Sequence, residues 1–140
     1  MLRRADDRLD ALGPAARARV ELVRADMQRC LELYPAGGFD AALCRGVVMY
    51  LPSSEPVVHG LAGLVRAGGV VSLVAKNGEA LAMWAALERR YVDAIARFDA
   101  NADRGRVGVL TRGDSLASPI AMFQRHRLSV TRLVRDPRLH

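Results

Sequence analysis

The chain has 140 residues, 51% of them hydrophobic and 26% charged, with a net charge of +6. This is the size and balance of one folded globular domain, without internal repeats or low-complexity segments. No apolar run approaches the ~18 residues that span a bilayer, and the charged start Met1-Leu2-Arg3-Arg4-Ala5-Asp6-Asp7-Arg8 lacks the apolar core of a signal peptide, so a cytoplasmic location is expected.

Residues 1–12 have helical spacing, with Leu2, Ala5, Leu9 and Leu12 on one face, and Gly13-Pro14 ends the predicted helix. Val20-Glu21-Leu22-Val23 reads as a short strand running into Arg24-Ala25-Asp26, followed by a short helix or turn from Met27 to Tyr34. Pro35-Ala36-Gly37-Gly38 is a loop. Phe39-Asp40-Ala41-Ala42-Leu43-Cys44 is nearly all apolar, the pattern of a parallel strand covered on both faces. Ser53-Ser54-Glu55-Pro56 starts a helix: hydroxyl caps, an acid in the first turn, and a proline where its missing N–H costs nothing. That helix is predicted to carry Val57, Val58, Leu61, Leu64 and Val65 inward and to end at Gly68-Gly69, where glycine suits a left-handed turn.

Val70-Val71-Ser72-Leu73-Val74-Ala75 is a second buried strand. A long helix is predicted from Glu79 to Phe98, with Leu81, Trp84, Tyr91, Ile95 and Phe98 forming a core stripe at three- and four-residue steps. Residues 99–113, with Gly105, Gly108 and Gly113, read as a loop. Ser115 to His126 is a short helix, and Leu128 to Val134 a last strand that Asp136-Pro137 stops. Alternating strands and helices predict an α/β fold with a mostly parallel sheet and right-handed crossovers. Ligands in such sheets bind beyond the carboxyl ends of the strands, which draws attention to Asp26-Met27, Cys44-Arg45-Gly46 and Lys76-Asn77.

Twenty of the basic residues are arginines and one is lysine, and eight arginines fall between Arg104 and Arg138. Scattered arginines usually make a solvated face; that cluster is also a candidate contact for RNA through counterion release. Cys30 and Cys44 form no metal-spaced motif and are expected as reduced thiols. His59, His126 and His140 lack ligand spacing, so they are expected at the surface or its boundary, and no metal is expected.

Three segments, in order, resemble motifs of the class I S-adenosylmethionine-dependent methyltransferases. Val20-Glu21-Leu22-Val23-Arg24-Ala25-Asp26-Met27 resembles the third motif, and Phe39 to Leu51 the fourth. Leu61-Ala62-Gly63-Leu64-Val65-Arg66-Ala67-Gly68-Gly69-Val70-Val71-Ser72-Leu73 resembles the stretch before the fifth strand, with Ala67 where proline is common. A narrower similarity, carried by Ser72 to Leu81, the long helix and Gly108-Val109-Leu110-Thr111, is to bacterial tRNA carboxymethoxyuridine methyltransferases. Met49-Tyr50 and Lys76 depart from that group, which often has glutamate and tryptophan at the first pair and tyrosine at the last.

The resemblance implies a single domain over 1–140 with a partial Rossmann-like sheet, mostly parallel, missing its first two strands, the glycine-rich cofactor loop and the last strand. It implies S-adenosylmethionine as cofactor and a tRNA nucleotide or small molecule as methyl acceptor. Met1 and Leu2 would border the adenine, Asp26 would accept from its amino group, and Met27 would offer its amide. Cys44, Arg45 and Gly46 would lie near the methyl group, and Arg45 and Asn77 would hold the acceptor. Each residue also has a plainer role: Asp26 and Asn77 as helix caps, Met27 as packing and Arg45 as a surface residue. Tyr50 and Trp84 are expected in the core.

A carboxylate acceptor is already ionised at neutral pH and needs no general base, so no catalytic residue is assigned. The competing functions are a small-molecule methyltransferase, a non-catalytic remnant and a basic RNA-binding module. Because the family's missing first strand would lie beside it, the resemblance also implies that the Phe39–Cys44 strand has an open edge through which the chain self-associates, with Val20–Val23 docking directly onto it.

Overall fold

The computed structural model describes residues 2–104 and 108–134. The observed architecture is mixed α/β, with seven α-helices and a two-stranded parallel sheet among the described residues. Helix α1 spans Leu2–Leu12 and buries Leu9. Gly13 turns the chain at φ +87°, and Pro14 opens the short α2, Pro14–Arg17, which Arg17 ties back to Asp6 of α1. Among the described residues, no helix is long and apolar enough to cross a membrane.

Residues 20–26 do not form the expected strand. Val20, Leu22 and Val23 are exposed, and no backbone ladder joins them to the sheet. A strand persists only where a neighbour completes its hydrogen bonds, and this segment finds none. A helical turn at Met27–Arg29 leads into α3, Cys30–Leu33.

Strand β1, Phe39–Arg45, pairs in parallel with β2, Val65–Val74, through helix α4, Glu55–Leu64. The Ser53 hydroxyl accepts from the Glu55 amide at 3.1 Å, and Pro56 lies in the first turn as predicted. Helix α4 ends at Leu64 rather than at Gly68-Gly69, so Val65 belongs to the strand. Between the pairs Phe39–Val65 and Ala41–Val70, β1 advances two residues and β2 five. Arg66 to Gly69 absorb the difference as a bulge. Gly68 takes φ +76° there, and Asp40 accepts from Arg66 at 2.6 Å across it.

The core lies on one side of this sheet. Cys44, Val48, Val57 and Leu61 are buried together, and Met27, Ala42, Leu51, Val71, Leu73 and Ala75 pack around them. The period of two in a strand turns alternate residues away, and Leu43 and Val70 on the opposite face stay exposed. The expectation of a sheet buried on both faces is therefore corrected.

The predicted long helix is two: α5, Leu81–Leu87, and α6, Tyr91–Ala96. Arg89 adopts φ +60° at the break, and Arg90 bridges Glu88 and Asp93. Folding back lets Ala85 and Ala94 become buried as the two helices pack on each other. Of the expected core stripe only Leu81 is buried: Trp84, Tyr91, Ile95 and Phe98 are exposed, as is Tyr50.

The segment read as a loop contains an antiparallel pair, β3 Ala102–Arg104 and β4 Leu110–Arg112. Helix α7 spans Ala117–Arg125. Residues 128–134 are irregular rather than a final strand, with no ladder partner among the described residues. Met1, Gly105, Arg106, Asp136-Pro137, Arg138 and His140 lie outside the described residues.

Candidate functional site

Parallel pairing sends both strands out of the sheet at the same end. Arg45, the last residue of β1, stands beside Val74, and Lys76-Asn77 continue just beyond. Gly46 follows at φ +65°, with open space where a side chain would project. Arg45 is exposed, and no hydrogen bond or ion pair holds its side chain among the described residues. Cys44 points the other way, into the core. Burial pushes its thiol up, away from the reactive thiolate form.

The remaining candidates divide. Met27 packs against the buried cluster of Cys44, Val48, Val57 and Leu61. Asp26 is exposed and caps the turn after it, accepting from the Gln28 amide at 2.9 Å. Asn77 likewise caps its turn, accepting from the Glu79 amide at 3.0 Å. The plainer role of each is therefore present. Leu2 shares an open depression with Val20, Glu21, Leu22 and Arg24, which does not extend to Asp26 or Arg45. Met1 lies outside the described residues.

Behind Lys76-Asn77 sits a buried polar clamp that sequence reading did not single out. Arg112 pairs with Asp114 and donates at 2.6 Å to Ser54, whose hydroxyl donates to Asp114 at 3.3 Å. The same guanidinium donates to the Leu51 carbonyl at 3.2 Å. Backbone bonds then fix the strand end: the Asp114 amide donates to Lys76 and the Gly78 amide to Asp114, both at 2.9 Å. Lys76 Nζ donates to Thr111 at 2.8 Å, and Thr111 donates to the Asp103 carbonyl at 3.0 Å. Gly113 and Gly78 pass so closely that a Cβ on Gly113 would lie 2.5 Å from Gly78 Cα. The signal available in sequence was Thr111-Arg112-Gly113-Asp114, a mixed-charge run around a glycine, but no spacing rule links it to Ser54.

The arginine cluster is partly committed to such contacts. Arg112 serves the clamp, Arg125 pairs with Glu55, and Arg104 donates to the Gly108 carbonyl. Among the described residues, no group of three or more His, Cys, Asp and Glu side chains could hold a metal ion. Comparison with protein-family models, curated proteins and solved structures finds no match to this chain.

Proposed function

We propose that this chain forms the adenine side and acceptor side of an S-adenosylmethionine-dependent methyltransferase, with the carboxylate of a modified tRNA wobble uridine as acceptor. The observation that carries the reading is the meeting of Met27 with the Cys44 cluster, while Arg45-Gly46 and Lys76-Asn77 leave the same end of the parallel pair. This supports the reading: segments that resemble the third and fourth motifs share one core, and the narrower resemblance at Lys76-Asn77 lies at the strand end beside Arg45.

Asp26, though not joined to Leu2, supports the adenine end of this reading. Asp26 is exposed and spends only one carboxylate oxygen on its cap, so the other is available to an amino group. Open space at Gly46 admits a ligand close to the backbone. No glycine-rich strand–loop occurs in the 140 residues, so no residue here is assigned to the cofactor's methionine end.

When bound, the cofactor supplies a methyl group activated by a sulfonium. The chain's own task is alignment. Arg45 offers two parallel N–H donors to an acceptor carboxylate and orients it at the strand end. The clamp holds Lys76-Asn77 beside it. Removing water from that edge would strengthen the Arg45 pairing.

Titration calorimetry with S-adenosylhomocysteine tests the reading. Binding is expected, and Asp26→Ser should weaken it about tenfold, because serine keeps the cap but loses the carboxylate. Arg45→Ala should leave that affinity unchanged and lower methyl transfer to the acceptor. Absence of binding heat, with no thermal stabilisation by the nucleoside, overturns the proposal.

A further inference from the structure

Among the described residues the sheet's outer face is left largely open, with Ser72 and Val74 half-buried. Register places Ala41 beside Val70, Leu43 beside Ser72 and Arg45 beside Val74, while their neighbours turn to the α4 core. Leu43 and Val70 are 63% and 62% exposed. Elsewhere, α5 and α6 form an open apolar groove lined by Ala82, Met83, Ala86, Ala94, Ile95 and Phe98. Ile95 and Phe98 are 77% and 78% exposed. Within the chain these helices pack on each other rather than on the sheet. A sheet with one open face and a helical layer with one open side are the two halves of a helix-on-sheet contact.

We propose that a second copy of this chain completes that contact. The α5–α6 groove of one protomer covers the open sheet face of the other, and a two-fold axis makes the exchange reciprocal.

Area and charge select this occupant. With about 100 Å² for an aliphatic and about 200 Å² for an aromatic side chain, the exposed parts of Phe39, Ala41, Leu43 and Val70 and of Met83, Ile95 and Phe98 total about 500 Å². Reciprocal exchange doubles this to about 1,000 Å², the size of a weak, reversible interface rather than of an obligate one. Glu79 and Asp99 line the groove's rim, whereas Arg45 edges the sheet face. Face on groove brings opposite charges together; groove on groove would oppose like charges. The inference does not rest on the methyltransferase reading.

Sedimentation velocity over a concentration series tests it, and a reversible monomer–dimer equilibrium is expected. Leu43→Lys and Ile95→Glu should each yield monomers with an unchanged circular dichroism spectrum, since both side chains are exposed in the protomer. Mixing the two variants should restore a dimer, because the mixed pair keeps one intact contact and sets lysine against glutamate in the other. A monomer at every concentration overturns the proposal. So does a dimer that Leu43→Lys leaves intact, or a mixture that stays monomeric.

Discussion

Asp114 shows how much one buried side chain holds. It is 8% exposed, and it ties the entry of α4 through Ser54, the end of β4 through Arg112 and the end of β2 through its backbone. Removing one partner of a buried charge pair leaves the other uncompensated. Asp114→Ala is therefore expected to lower stability by about 3 kcal/mol, read from the urea midpoint. Asp114→Asn keeps an acceptor for Ser54 and should lose less. The contrast between the two variants separates the charge from the hydrogen bond.

At the scale of elements, the bulge in β2 depends on glycine at a close approach. A Cβ on Gly69 would lie 2.3 Å from Val65 Cγ1 and 2.6 Å from the Asp40 carbonyl oxygen. Since the carbonyl belongs to the paired strand, it cannot yield without breaking the ladder. Gly69→Ala is expected to cost about 1–3 kcal/mol in chemical denaturation. Helices α4 and α7 are joined by Glu55, which accepts from Arg125 at 2.5 Å and contacts His126 at 2.9 Å. The bond from Arg125, reinforced by His126, holds the Glu55 carboxyl below its ordinary value of 4.5. A carboxyl depressed in the folded state stabilises it above the unfolded value and loses that contribution as pH falls through the folded value. Thermal denaturation should accordingly show stability declining below pH 4.5, and Glu55→Gln should flatten that decline while lowering stability at neutral pH.

For the whole molecule, the decisive feature is that layers are only half assembled within one chain. A two-stranded parallel sheet is marginal unless its faces are covered. Here α4 covers one face, and the other carries exposed leucine and valine. The proposed reciprocal dimer would supply a further layer, and the melting temperature is then expected to rise with protomer concentration, as mass action requires. The basic charge acts at this scale too. Several arginines are drawn into ion pairs that staple neighbouring elements, such as Arg17 to Asp6 and Arg97 to Asp103, which leaves less positive surface than the count suggests.

Local chemistry was legible wherever it sufficed to choose a conformation. The helix over Leu2–Leu12, the Ser53–Pro56 helix start, the β1 strand and the helix before His126 all follow from periodicity, capping and turn residues, whereas the left-handed Gly68 serves a strand bulge instead of the helix end expected there. The candidate residues Cys44, Arg45, Gly46, Lys76 and Asn77 were placed by the same logic, since parallel strands deliver their carboxyl ends to one edge. Tertiary context decided the rest. Among the described residues, Val20–Val23 and 128–134 have strand-like patterns but no neighbour to pair with, and the stripe from Trp84 to Phe98 covers no sheet. The Ser54–Arg112–Asp114 clamp joins residues some sixty positions apart, which only the folded chain brings together. A sequence carries the period and the caps of each element, but pairing, burial and long-range polar contacts exist only when another element arrives to complete them.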